Sequence, residues 1–236
     1  VWDNGSDQET LNVISEHLNH PCLYTFHDHR DNVGLRAPTN WFWKASTAPF
    51  VGKVDDDCLV PDNWVDTLIK AHEDVEEFGL LACWHFAPED FSEQIARWKI
   101  FSFPRNHRVV RSAWVGGSGY VIKRSCMDSV GALRDSEDFT GYCKRVASQG
   151  WIVGWYYPLL YQEHLDDPRS QHSRLKSDTD MESWAPLSAK RNGAKTLVEW
   201  QNQLRRSALL VQTAQYEPRY YFGWRRQVTR IRRLLK

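Results

Sequence analysis

The sequence predicts an α/β layer fold: a mostly parallel mixed sheet flanked by helices. Three observations carry this. Compact apolar runs at Phe50 to Val54, Leu80 to Phe86 and Trp151 to Tyr157 alternate with stretches of helical periodicity. Acidic and glycine-bearing turns follow the early strands, where such sheets open their ligand crevice. At 236 residues and 42% hydrophobic, the chain is long enough for a sizeable core.

Val1-Trp2 reads as a strand end running into the turn Asp3-Asn4-Gly5-Ser6. Asp7 caps a helix in which Leu11, Ile14 and Leu18 recur, with Pro21 as its stop. Leu23 to Phe26 is a short strand, and His27 and His29 alternate as on a sheet edge. Pro38 sits in the first turn of an aromatic helix reaching Ala48. After the strand at Phe50 comes Asp55-Asp56-Asp57, then a helix opened by Pro61-Asp62 and stopped by Gly79. Phe91 to Phe103 reads as helical. Val115 to Ile122 is a strand interrupted by Gly116-Gly117-Ser118-Gly119, a mark of a bulge or of close backbone approach to a ligand. Ser136 caps a helix from Glu137 to Gln149, and Trp151 to Tyr157 is a last strand. His164 to Gly193 is polar and aperiodic, as expected of a lid or binding loop.

The tail has two amphipathic stripes: Leu197, Trp200, Leu204, Ala208 and Val211, then Tyr220, Trp224, Val228, Ile231 and Leu235. The expected division is therefore residues 1–193 and a helical extension at 194–236. From Tyr216 onward seven basic residues face one acidic residue, +6, so the neutral total leaves −6 for residues 1–215. A basic amphipathic end suits packing on its own domain, an anionic lipid surface, or nucleic acid; the apolar stripe gains nothing from nucleic acid, which is not an expected partner. No apolar run nears the roughly 18 residues of a membrane-spanning helix. Five scattered cysteines without a C-x-x-C pair fit free thiols in a reducing compartment, so the expected location is cytoplasmic, with contact at the inner membrane face through residues 216–236.

Three adjacent carboxylates repel one another. Without a cation they cost stability, and hard oxygens suit Mg²⁺ or Mn²⁺; a solvated acidic turn is the other reading. Twelve tryptophans supply flat faces for a core, and also for stacking on sugar rings. Trp114, Trp151 and Trp155 are candidates for the second use. Lys53 and Arg36 carry charge near these turns, for phosphates or for solvent.

In order along the chain, Asp3-Asn4-Gly5-Ser6, Asn32-x-Gly34-Leu35 with Asn40, Asp55-Asp56-Asp57, and Glu137-Asp138 followed by Gly150 resemble the family 2 glycosyltransferases from Val1 to about His164. The resemblance implies a GT-A (Rossmann-like) fold and transfer of a sugar from a nucleotide donor, UDP-sugars above all, with Mn²⁺ or Mg²⁺. It gives Asp3, with Asn32 and Arg36, to the nucleotide, and Asp55 and Asp57 to the outer positions of a D-x-D motif. The first would lie near the ribose and, with the last, serve the metal; Asp56 stands in place of Asp55 in the alternative register. It makes Asp138, beside Glu137, the base of an inverting displacement and His164 a partner of the metal. Trp114, Gly117 and Ser118 fall to the acceptor, a glycan, lipid or small molecule. The family's usual first strand would precede Val1 and is expected to be missing. A non-catalytic glycan- or nucleotide-sugar-binding relative and a membrane-surface scaffold are the rival readings.

Overall fold

The computed structural model describes residues 1–135 and 137–223. They form two compact units, one of residues 1–47 with 132–135, the other of residues 48–131 with 137–223.

In the first unit, β1 (Trp2–Asn4) pairs in parallel with β2 (His27–His29), Asp3 opposite Asp28. The expected strand at Leu23 to Phe26 thus lies a few residues later, on the alternating histidines. Between them runs α1 (Gln8–Glu16), capped as expected by Asp7, whose side chain accepts from the Thr10 amide at 2.9 Å. It ends at His17, well before Pro21. α2 (Arg36–Ala45) follows, and its Asn40 makes a reciprocal amide pair with the Leu133 backbone, at 2.9 and 3.0 Å. That pair ties residues 132–135 into this unit. The Trp2 ring stacks on His27 and His29 with centroids 5.4 and 5.6 Å away, giving a short sheet its apolar cover.

The second unit is built on a six-stranded sheet. In chain order its strands and helices are β3 (Phe50–Lys53), β4 (Cys58–Leu59), α3 (Trp64–Asp74), β5 (Phe78–Ala82), α4 (Glu93–Ala96), β6 (Ile100–Ser102), β7 (Arg108–Arg111), β8 (Tyr120–Lys123), α5 (Arg124–Val130), α6 (Phe139–Ser148), β9 (Ile152–Tyr157), β10 (Glu163–His164), α7 (Asp178–Trp184), α8 (Leu187–Arg191) and α9 (Leu197–Thr213). The sheet order is β3-β8-β5-β9-β7-β6, with β4 and β10 paired separately. The sheet is mixed and flanked by helices, as expected. Its balance is not mostly parallel: only β5 and β9 run together, and the other neighbours are antiparallel. β8 causes this on one side, turning back between β3 and β5. β7, a strand missed in the sequence because arginines flank its two valines, does so on the other.

β5 is the centre. All five of its residues are buried, as an apolar run with no polar alternation requires. Leu68, Ala71 and Val75 from α3 and its C-terminus pack with Phe78, Leu81, Val109 and Val121. Gly79, expected as a helix stop, lies inside this strand, where a Cβ would come within 2.7 Å of Trp151 Cβ. The helix expected at Phe91 to Phe103 is instead α4, a 3₁₀ turn and β6. The expected loop from His164 to Gly193 is folded: α7 carries a Ser177–Asp180 capping box, and Leu175, Met181, Ala189, Ala194 and Trp200 form a small core. α9 bears the first tail stripe, with Trp200, Ala208 and Val211 buried. Of the second stripe, everything after Tyr220 lies outside the described residues, as does the Ser136 cap; α6 is capped by Asp138. No helix among the described residues is long and apolar enough to cross a membrane.

His72 links α3 to the sheet, with Nδ1 3.1 Å from Phe78 O and Nε2 3.0 Å from Val121 O. Burial pushes its pKa from 6.5 down to about 4. Between those values the unfolded chain binds a proton that the folded chain refuses, so stability rises with pH through the window and is lost as pH falls. The expected loss from pH 6.5 to 4 is at most about 3 kcal/mol from this group. Denaturation midpoints across that range should fall more steeply in the parent than in His72→Gln; equal slopes would clear His72 of the effect.

Candidate active site

In the first unit, the Asp3 carboxylate is buried and accepts from the Gly5 and Ser6 amides, each at 3.2 Å. The Ser6 side chain, then these amides, hold its pKa below the usual carboxylate range against the opposing effect of burial. Asn32 Oδ1 accepts from Asn4 Nδ2 at 3.2 Å and from the Gly34 amide at 2.9 Å. Gly5, at φ +83°, brings the backbone against residues 30–32, where a Cβ would lie 3.0 Å from the Asn32 nitrogen. Arg36 is half-buried at the first residue of α2. One turn therefore gathers Asp3, Asn32 and the Asn4 side chain.

In the second unit, the acidic triplet follows β3. Lys53 pairs with Asp55 and donates to Gly117 O at 3.2 Å; the Asp55 amide donates to Ser118 Oγ at 2.9 Å. Register explains this: Lys53 faces Tyr120 across β3 and β8, so the glycine run before Tyr120 lands beside Asp55. Lys53, read from sequence as serving phosphates or solvent, holds a carboxylate. Asp56 is exposed.

Asp57 and His164 meet through the two-stranded pairing of β4 and β10. His164 lies opposite Cys58, and the Leu165 amide donates to Asp57 O at 2.8 Å. His164 Nε2 is 3.9 Å from Asp57 Oδ2. Asp57, Cys58 and His164 each present one ligand atom within 4.8 Å of the others. Cys58 is the poor member. Burial pushes its thiol up to about 12, and the protonated Sγ donates to Asp57 Oδ1 at 3.2 Å. Asp166, unnoticed in the sequence, stands two residues beyond His164, and its amide donates to His164 Nδ1 at 3.3 Å. Burial, then the charge of Asp57, raises the pKa of the Asp166 carboxyl against the lowering effect of His164. A carboxyl whose charged form is disfavoured beside Asp57 and an imidazole is a setting that a hard divalent cation such as Mn²⁺ fits.

Two cavities lie alongside. One of ≈ 510 Å³ is lined by His85, Gln162, His164, Asp167 and Arg169 among others. Arg169 fixes its rim, donating to both oxygens of Asp90 at 2.9 and 2.7 Å and to Asp167 Oδ2 at 2.7 Å. The second, ≈ 310 Å³, is lined by Trp114, Gly116, Gly117, Phe139 and Thr140, closed by Ser207, Leu210 and Val211 of α9. Trp114 is braced from behind: Tyr221 meets it edge-on at 5.3 Å, and Lys144 Nζ lies 5.2 Å from both rings.

Asp138 precedes Phe139 on that wall. Its Oδ1 caps α6 from the Gly141 amide at 2.6 Å, and among the described residues Oδ2 makes no hydrogen bond. Glu137 is held by Arg145, with Nε at 2.9 Å and Nη2 at 2.6 Å, while Arg145 reaches Val130 O. The two adjacent carboxylates thus stand apart in use: one is locked and the other turned outward.

No curated protein matches the chain. Among solved structures, the mannosyltransferase PcManGT from Pyrobaculum calidifontis, in complex with GDP-Man and Mn²⁺, is similar over 100% of this chain and 74% of its own. The TM-score is 0.56 and the identity 17%. GalNAc-T7 with UDP, GalNAc and Mn²⁺ is similar over 69% of this chain and 36% of its own, with a TM-score of 0.52 and 12% identity. At these identities the likeness is one of fold. The family model described as glycosyl transferase family 2 matches residues 1–122. That is over half of the chain's length and covers both the Asp3 turn and the acidic triplet: the chain belongs to glycosyl transferase family 2.

Proposed function

We propose that the chain moves a sugar from a nucleoside-diphosphate donor, UDP-sugars first, to a hydroxyl of a glycan, lipid or small molecule, with inversion. The approach of His164 to Asp57, with Asp166 as a charged neighbour, in a family 2 chain carries this reading. These residues would hold Mn²⁺ or Mg²⁺, which when bound supplies a Lewis acid for the charge that develops on the leaving diphosphate. Asp3, Asn32 and Arg36 would receive the nucleoside, and Asp55 or Asp56 the ribose. Trp114, Gly117 and Ser118 would line the acceptor side. Asp138, with Oδ2 outward beside Phe139, would take the acceptor hydroxyl's proton as its oxygen attacks the anomeric carbon; that bond forms as the bond to the diphosphate breaks. Glu137, paired with Arg145, would keep the start of α6 in place. The basic stretch at 216–236 would rest on an anionic cytoplasmic membrane face.

The test is thermal stability with UDP, GDP, dTDP or CMP, each with and without Mn²⁺. A diphosphate held at 100 times its dissociation constant should stabilise the parent by about 2.7 kcal/mol. The expected result is stabilisation by one diphosphate, only with metal, and none in Asp57→Ala. No stabilisation by any nucleotide would sink the reading in favour of a scaffold, while tight binding without turnover would favour a non-catalytic relative.

A further inference from the structure

Resting on that transferase reading, we propose that His85 reads a hydroxyl of the sugar being transferred. His85 and Phe86 are the two residues, among those described, that line both cavities. The reacting carbon must be reached from the donor side and from the acceptor side, so the sugar ring belongs where the cavities share a wall.

The backbone fixes that wall. The Cys83 amide donates to Gly119 O at 2.7 Å, the Trp84 amide to Leu160 O at 2.8 Å, and the Gln162 amide back to Trp84 O at 2.8 Å. Residue 85 is thereby set between the glycine run and the segment leading to His164. Its ring lies over Gly116, where a Cβ would come 2.8 Å from Nδ1 and 3.0 Å from Cε1, and it packs on Phe86 at 4.0 Å between centroids. Glycine at 116 is what admits an imidazole here.

Nδ1 is buried with no hydrogen-bond partner among the described residues, and Nε2 has none there either. With Nδ1 shut in, Nε2 is the nitrogen left for a ligand, and a proton there lets it donate to a hydroxyl oxygen. A polar ring kept in an apolar wall without a partner carries a desolvation cost that a ligand hydroxyl would offset. Phe86 beside it, packed on Trp84 at 5.2 Å between centroids, holds the imidazole in place from the core side. The pattern is that of a specificity contact: a site built to hydrogen-bond a hydroxyl discriminates against ligands that lack it.

The test compares His85→Phe, which keeps a ring against Gly116 and removes both nitrogens, with His85→Gln, which keeps an N–H donor at similar reach. Calorimetry with Mn²⁺ would measure UDP, GDP, UDP-glucose, UDP-N-acetylglucosamine and GDP-mannose on the full chain and on each variant. For the conjugate that the parent accepts, the ratio of conjugate to free-diphosphate affinity should fall about tenfold in His85→Phe. Free-diphosphate affinity should stay unchanged, and His85→Gln should recover part of the ratio. An unchanged ratio in His85→Phe overturns the proposal, as does an equal fall for diphosphate and conjugate in both variants. A parent chain that binds none of the diphosphates overturns the transferase reading beneath it and takes this proposal with it.

Discussion

Asp138→Asn is expected to lower the rate of sugar transfer by about 10²- to 10⁴-fold, the usual worth of a positioned general base, and to leave donor binding unchanged. The substitution isolates chemistry from structure. Asparagine is as good an N-cap as aspartate, so its side-chain oxygen can keep the bond that Oδ1 now accepts from the Gly141 amide. The loss is confined to the outward Oδ2, which becomes an amide that cannot take a proton. Metal-dependent hydrolysis of the preferred nucleotide sugar gives the rate, with water as acceptor, and the diphosphate-induced thermal shift gives binding. A fall of less than tenfold would place the base elsewhere. A matching loss of the thermal shift would mean that Asp138 holds the donor.

Gly154→Ala is expected to cost about 3 kcal/mol or more, as overpacking does where neighbours cannot yield. Gly154 lies in β9, opposite Leu81 of β5 and Arg111 of β7. A Cβ would sit 2.5 Å from Val110 O and 2.5 Å from Val109 Cγ1. The first is backbone in a paired strand, and the second belongs to a fully buried side chain. Relief would require β7 to move off β9 and carry β6 with it. Denaturant unfolding should show a clearly lower midpoint, or no folded protein. A shift within about 0.5 kcal/mol, the range of an ordinary surface change, would show that the strands part more easily than their packing implies.

The sequence is legible where structure is local. Asp7 capping α1, the buried run of β5 and the stripe of α9 each follow from residues within a turn or two of one another. The flat reading of 164–193 failed because its helices are short and bury few residues each, which leaves no periodicity to detect. The parallel balance failed for a different reason. Strand direction depends on which strands become neighbours, and β8 between β3 and β5 is a long-range choice that no local pattern encodes. At the site, the acidic triplet was visible as chemistry. Its partners were less so: Lys53 on Asp55 follows from the β3–β8 register, and Asp166 on Asp57 from the pairing of β10 with β4. His85 carried no signal beyond its residue type, since its interest comes from two cavities that the folded chain creates.

The helix α9 has a consequence for how the molecule is made. Its residues 207, 210 and 211 close the cavity beside Trp114. Lys99 Nζ is capped by Val211 O from 112 residues away, and Gln212 reaches back 122 residues to Asp90 O and 120 to the Ser92 amide. On the ribosome, the sheet strands up to β9 emerge first. Lys99 must then wait in water as an ordinary ammonium, since only burial brings its pKa down to about 7. When α9 arrives it finds a lysine that must shed its hydration before the helix can seat. The cavity wall and the burial of Lys99 are therefore completed together, and a nascent chain halted before residue 207 carries an open trough in place of the second cavity.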